Sequence, residues 1–325
     1  MFRYVARRLI FSIPVLLIAS ISVFYIVRAT TSPLGALAGN TRITAEDVAR
    51  FKKDLGLDKS GFQQYTTWLT HFVKGNWGSS LINHRPVWPD VREALVNTMV
   101  LGVTATILSL LIGIAIGVIS AVRQYSLFDY ISTGGAFFGL SMPPFWFGLI
   151  LQILFGLYFV SWFHTSGPLL PTAGMASPGS LTFSLLDRVR HLALPTLTLA
   201  VQIVAVYSRY LRSSMLEVMN SDYLRTARAK GLPERTVVIK HGMRNALIPL
   251  TTQVAIDVGA LAGGLVVTES IFQWPGMGSL FLSAIRLGDY AVVLPWLMVV
   301  VMFVIVLNLV ADIMYGVLDP RIRYA

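Results

Sequence analysis

Long stretches without a single charge leave this chain few folds to adopt. Leu9 to Val27, Ala94 to Val122 and Tyr290 to Ala311 contain no Asp, Glu, Lys or Arg. Ala246 to Thr268 is broken only by Asp257, and Leu192 to Ser208 is a shorter clean run. Tyr130 to Leu186 is also uncharged, but its second half is rich in Pro and Gly and reads as a loop. A spanning helix needs roughly 20 mostly apolar residues. The runs therefore predict an all-α integral membrane protein with six transmembrane helices, near 9–28, 97–122, 131–160, 192–212, 247–268 and 291–316. Composition agrees: only 13% of residues are charged, against about a quarter in a soluble domain.

Charge placement orients the chain. With both termini in the cytoplasm, Arg3, Arg7, Arg8, Arg123, Arg321 and Arg323 lie inside, together with a basic segment from Arg209 to Arg244. The short outer loops hold only Arg188 and Arg190, and Arg286. The net charge of +10 is thus read as topology, with the lipid bilayer as the medium and no nucleic acid as a partner. The basic start and Ala36-Leu37-Ala38 resemble a secretory signal, but the first apolar run is longer than the ~7–15 residues of a signal core, so an uncleaved helix is expected.

The organisation follows from the spans. Residues 1–28 form a cytoplasmic stub and the first span, 29–96 an outer helical loop, 97–316 a core of five spans, and 317–325 a cytoplasmic tail. In the outer loop, Thr44 and Asp47 resemble a helix start and Gly56 a stop after Asp54-Leu55. A second short helix is expected near Phe62 to Lys74, with Tyr65, Trp68, Leu69 and Phe72 on one face. That stripe could meet the bilayer, a partner, or the chain's own helices. Gly113 and Gly117, and Gly259 and Gly263, stand at the spacing that lets helices pack closely, or are merely glycines of membrane helices.

Enzyme chemistry finds little to stand on. No cysteine is present, which removes disulfides and thiolate chemistry. No Walker A sequence and no H-E-x-x-H occurs. His71, His84, His164, His191 and His241 all lie outside span cores. Asp257 and Asp312 are the acidic residues within spans, at different depths, which argues against a protease dyad.

The cytoplasmic segment 213–246 is more telling. A helix runs to Lys230, Gly231 supplies a tight stop, and Pro233 suits the first position of a second helix toward Asn245. This is either a structured knob or an ordinary basic loop that sets topology.

The residues of that segment resemble a known family. Asp222-Tyr-Leu-Arg-Thr-Ala-Arg-Ala-Lys-Gly-Leu232 is similar to the cytoplasmic EAA-type loop of binding-protein-dependent ABC importers. More narrowly, the chain resembles permease subunits of the dipeptide/oligopeptide/nickel ABC importers, in their first-subunit branch. The likeness continues in Tyr4…Arg7-Arg8-Leu9, Leu55-Gly56-Leu57-Asp58, Gln64-Tyr65…Trp68-Leu69, Gly75-Asn-Trp-Gly-Ser-Ser-Leu81, Asn97-Thr98 and Ser141-Met-Pro-Pro-Phe-Trp146. It ends in Glu269-Ser-Ile-Phe272…Pro275-Gly-Met-Gly278, Asp289-Tyr290 and Asp319-Pro320-Arg321. Ser32-Pro-Leu-Gly35 departs from the branch's Pro-Gly-Asp-Pro, and Arg225-Thr-Ala227 stands where the general loop has Glu-Ala-Ala.

The resemblance implies a type I ABC importer permease fold, half of a pathway for short peptides, with nickel chelates or haem as other cargoes. It also implies a homologous second permease subunit, two ABC ATPase subunits that hold ATP and Mg, and an extracytoplasmic substrate-binding protein. No cofactor would be bound by this chain. The loop match assigns ATPase coupling to Tyr223, Arg225, Thr226, Ala227, Arg228, Gly231, Leu232, Glu234 and Val237. Tyr223, Ala227, Leu232 and Val237 would form the docking face, and Arg228 and Glu234 its charged rim. Trp77, Glu269, Phe272, Gln273, Pro275, Gly276 and Asp289 would form the outer gate and the docking surface of the binding protein, or simply cover helix ends. A charge at mid-bilayer costs at least about 2.5–3.5 kcal/mol. Asp257, beside Gly259 and Gly263, is therefore expected to line the translocation pathway, or else to be a structural carboxylate bonded to a neighbouring helix. Two other functions stay open: a self-contained secondary transporter, which would show internal repeats and clustered mid-membrane charges, and a non-transporting receptor or scaffold. ATP-dependent transport with an added ATPase separates the three.

Overall fold

Among the described residues, helices account for nearly every element of secondary structure. The computed structural model describes residues 2–30, 56, 58–165, 167–177, 179 and 184–318. Within them, one isolated antiparallel bridge, Ser79 to Pro86, is the only extended pairing. Helix α1 is Phe2–Thr30, α2 is Gly61–Val73 and α3 is Val87–Val122. Helix α4 is Leu127–Ser141 and α5 is Pro144–Phe163, the latter loosened by a π-helical turn at Leu154–Tyr158. Helix α6 is Leu185–Met219 and α7 is Asp222–Ala229. A turn at Glu234–Thr236 and a π-helical turn at Val237–Gly242 lead into α8, Met243–Ala260. Then come α9, Val266–Ile271, α10, Met277–Leu287, and α11, Tyr290–Leu318.

Among the described residues five helices are long and apolar enough to cross a membrane: Ile10–Thr30, α3, α5, α6 and Tyr290–Val310. Two spans read as continuous are broken. The segment 131–160 divides at Met142-Pro143-Pro144, because a residue before proline is pushed out of the α region and proline donates no hydrogen bond. The segment 247–268 ends its α-helix at Ala260, tightens into a 3₁₀ turn at Leu261–Gly263, and reverses at Gly264, whose φ is +83°. Gly264 cannot be replaced in place, since a Cβ there would run into the backbone of Gly278.

The centre of the fold is the long pair α3 and α6, which pack along their length. Glycine permits it. A Cβ on Gly113 would lie 2.9 Å from Cβ of Tyr207, and one on Gly117 would lie 2.8 Å from the Ser208 carbonyl oxygen. Pro195 is accommodated inside α6, with Thr198 Oγ1 donating back to Leu194 O at 2.9 Å. Helix α4 is fastened to α6 by a two-pronged ion pair: Arg212 Nε donates to Asp129 Oδ1 at 2.6 Å and Nη2 to Oδ2 at 2.7 Å.

The aromatic stripe of α2 packs on the chain itself. Tyr65 and Phe72 are buried, Tyr65 shares a 2.8 Å hydrogen bond with Ser20 of α1, and rings run in contact from Phe24 through Tyr65, Trp68, Phe72 and Trp77 to Trp88. Ser60 caps α2 in a reciprocal pair with Gln63. Ser32 to Ala38, Thr44 to Leu55, and Asp319 to Arg323 lie outside the described residues.

Candidate functional sites at the two ends of the bundle

The knob at the end of α6 is built around a small core of its own. Leu224 and Val237 are fully buried and Ala227 nearly so, packed together with Val218. Gly231 adopts φ +75° with open space around it, so the chain reverses there without crowding. Across that reversal Arg228 Nη2 donates to Glu234 Oε1 at 2.9 Å and Nε to Oε2 at 3.1 Å. The Arg228 hydrogen bond holds the Glu234 carboxyl below its ordinary range. Arg228 Nη1 also reaches the Met219 carbonyl at 3.4 Å, tying the knob to the end of α6. Asn245 Nδ2 donates to the Tyr223 hydroxyl at 2.8 Å. Pro233 stands one residue before the helical turn, as its cap.

These contacts correct the expected docking face. Ala227 and Val237 are buried in the knob's own core, while Arg228 and the exposed Glu234 are paired with each other at its surface. What remains exposed is Tyr223, Arg225, Thr226, Gly231, Leu232 and the ion-paired Glu234, with Ile239 added. Leu224 and Ala227, three apart on one face of α7, carried the signal for the inner side.

In α8, Asp257 is partly buried and accepts from Gln253 Nε2 at 2.8 Å, one turn away. Gly259 faces α11, where a Cβ would sit 3.6 Å from Asn308 Oδ1. Among the described residues Gly263 has nothing within 4 Å and makes no close helix contact.

At the opposite end, α9, the turn 272–276 and α10 make a hairpin knitted to the start of α3. Trp274 Nε1 donates to Asn97 O at 2.9 Å, Asn97 Nδ2 to Pro275 O at 2.9 Å, and Met277 N to Thr98 Oγ1 at 2.7 Å. Glu269 is wholly buried: its Oε1 accepts from Thr98 Oγ1 at 2.6 Å and Leu265 N at 3.1 Å, and its Oε2 from Ser279 N at 2.9 Å. A Cβ on Gly276 would strike Glu269 and Thr98. Asp289, also buried, accepts from Ser80 Oγ at 2.5 Å and Leu81 N at 3.2 Å, pinning the 75–86 segment to the start of α11.

Of the seven residues expected at the outer gate, Glu269, Phe272, Gly276 and Asp289 are therefore inside the fold. Trp77 is half-buried, stacked on Phe72, with its Nε1 donating to Phe72 O at 3.2 Å. Gln273, at φ +51°, and Pro275 are exposed. They edge an open cleft of about 720 Å³ between α3 and α10, whose walls carry Arg85, Asp90, Glu93 and Arg286. Asn97, Thr98, Trp274 and Ser279 had been given no role. Their polar groups at the mouth of an apolar span were the available hint.

Comparison with known proteins gives this geometry its context. Residues 113–324 match the family model of the binding-protein-dependent transport system inner membrane component, and residues 1–102 match that of the N-terminal part of such membrane components. The oligopeptide transport system permease protein AppB of Bacillus subtilis (strain 168) is 41% identical over 322 residues, 99% of each chain. The dipeptide transport system permease protein DppB of Escherichia coli (strain K12) is 36% identical over 341 residues, covering 100% of this chain and 99% of its own. The glutathione transport system permease protein GsiC of Salmonella choleraesuis (strain SC-B67) is 35% identical over 324 residues, 100% of each chain.

Proposed function

The chain belongs to the family of binding-protein-dependent transport system inner membrane components, and from that membership we propose that it forms half of a pathway for short peptides. It is a multi-pass inner-membrane permease subunit of an ABC importer, not an enzyme. Short peptides are favoured over nickel chelates or haem because the relatives are named for oligopeptides, dipeptides and glutathione, a tripeptide. A homologous permease subunit supplies the other half, two ATPase subunits bind ATP and Mg, and a substrate-binding protein delivers cargo outside.

Six crossings complete the topology. Helix α8 has 18 residues and is about 27 Å long, close to the ~30 Å hydrocarbon thickness, so it serves as the fifth span in chain order. The knob's Arg225, Arg228, Lys230, Arg235, Lys240 and Arg244 favour its placement in the cytoplasm, with both termini. Asp257 and Gly263 then sit on the pathway or at the partner permease, while Gly259 packs α8 on α11. The outer docking surface is the rim of Gln273 and Pro275 with the charged cleft beside it.

The observation that carries the coupling role is the knob itself. It is a self-packed unit whose exposed side presents Tyr223, Leu232 and Ile239 beyond the membrane helices. Such a rigid apolar face suits a groove on an ATPase subunit. Gly231→Val forces a β-branched residue into positive φ, a strain of at least about 1–2 kcal/mol, so binding-protein-stimulated ATP hydrolysis should fall at least about tenfold while insertion is retained. Undiminished stimulation in that variant would refute the assignment.

A further inference from the structure

Glu269 has no exposure to solvent, and its three hydrogen-bond donors come from three different places: the turn before α9, the first residues of α10, and Thr98 of α3. All three are donors, so both carboxyl oxygens act as acceptors. Burial of a carboxylate is unfavourable unless such bonds replace its water. A segment that merely covered helix ends would not need one. The surroundings are closed as tightly: Gly264 and Gly278 bring the starts of α9 and α10 into backbone contact, and Gly276 leaves room for the Glu269–Thr98 pair.

We propose that Glu269, through Thr98, is a positioning residue that locks the α9–α10 hairpin to α3, so that hairpin and helix move as one body during transport. The lock joins a continuous mechanical line, and its role in coupling rests on the knob's docking to an ATPase. The knob is bound to the end of α6 by Arg228 and by the Val218 cluster. Helix α6 is seated against α3 at Gly117. Thr98 lies 19 residues before Gly117, about 28 Å along the helix and nearly one hydrocarbon thickness. Motion delivered at one face thus reaches the hairpin at the other through two packed helices and one buried carboxylate. The hairpin is cargo on α3, not a free loop.

Thr98→Val removes the hydroxyl that donates to Glu269 and accepts from Met277 N, while Thr98→Ser keeps it. Glu269→Gln sets an amide donor against at least one of the three donors. The test uses spin labels at Ser270→Cys and Leu111→Cys, both exposed positions in a chain without cysteine, in the complex with its ATPases and binding protein in nanodiscs. The unsubstituted background and Thr98→Ser should give one narrow distance, the same with and without ATP. Thr98→Val and Glu269→Gln should broaden it and cut stimulated ATP hydrolysis by about tenfold, the scale of one lost buried hydrogen bond, leaving unstimulated hydrolysis in place. A distance that shifts with nucleotide in the unsubstituted background overturns the proposal, as does a narrow distance retained in both disrupting variants. If ATP hydrolysis proves unresponsive even without the substitutions, the knob's coupling role fails, and the distance still decides the lock.

Discussion

Individual glycines in this chain carry definite and different loads. Gly276 has no room for a methyl group, because Glu269 and Thr98 occupy the space, whereas Gly134 and Gly135 have nothing within 4 Å. Gly276→Ala should destabilise the protein by about 1–3 kcal/mol, the usual scale of overpacking. Gly135→Ala, inside α4 with free space, should hold or raise the thermal unfolding midpoint, since Gly costs a helix about 0.5–1 kcal/mol relative to Ala, and equal effects in the two variants would contradict the packing described. Asp257 makes a prediction of another kind. If it lines the pathway, a cysteine at that position should react with a water-soluble thiol reagent in one nucleotide state and be protected in another. Protection in every state, with normal transport by Asp257→Asn, assigns the carboxylate instead to a structural bond within the membrane.

At the scale of elements, the α3–α6 pair sets the framework. Gly117→Val would push its side chain into Ser208 O and the Leu211 Cβ, contacts that already stand at 2.8 and 2.9 Å for a bare Cβ. The two helices must then separate, and a loss of folded, monodisperse protein in detergent is expected; normal yield and melting behaviour would show that the helices do not meet there. The long elements were legible in the sequence because an uncharged run of 20 residues has few other meanings. The Gly113/Gly117 spacing was legible too, though only as one of two readings. Their interruptions were less so. Gly264 looked like one more membrane glycine, because what requires its positive φ is the backbone of Gly278, folded back from beyond the turn. The role of Glu269 was hidden for the same reason: its partner Thr98 is 171 residues earlier. In the knob, the stop at Gly231 could be read directly, but α7 is only eight residues long, so periodicity could not fix which apolar side chains face inward. Ala227 and Val237 were placed on the wrong side.

At the scale of the whole molecule, two self-contained devices stand at opposite ends of a shared pair of helices. One is a knob with its own core and an exposed apolar face, the other a hairpin whose buried Glu269 is bonded at both carboxyl oxygens. Neither holds a nucleotide motif, and full-length relatives are permease subunits. The architecture suits a chain that relays motion rather than one that performs chemistry. The central claim is therefore tested by uptake. Proteoliposomes would hold this chain with its homologous partner subunit and the ATPases, with binding protein and labelled dialanine added on the outer side. Dialanine should accumulate only when ATP is inside and binding protein outside, and accumulation should be lost with Gly231→Val. Uptake at the same rate without ATP, or by this chain alone under an ion gradient, would contradict the account.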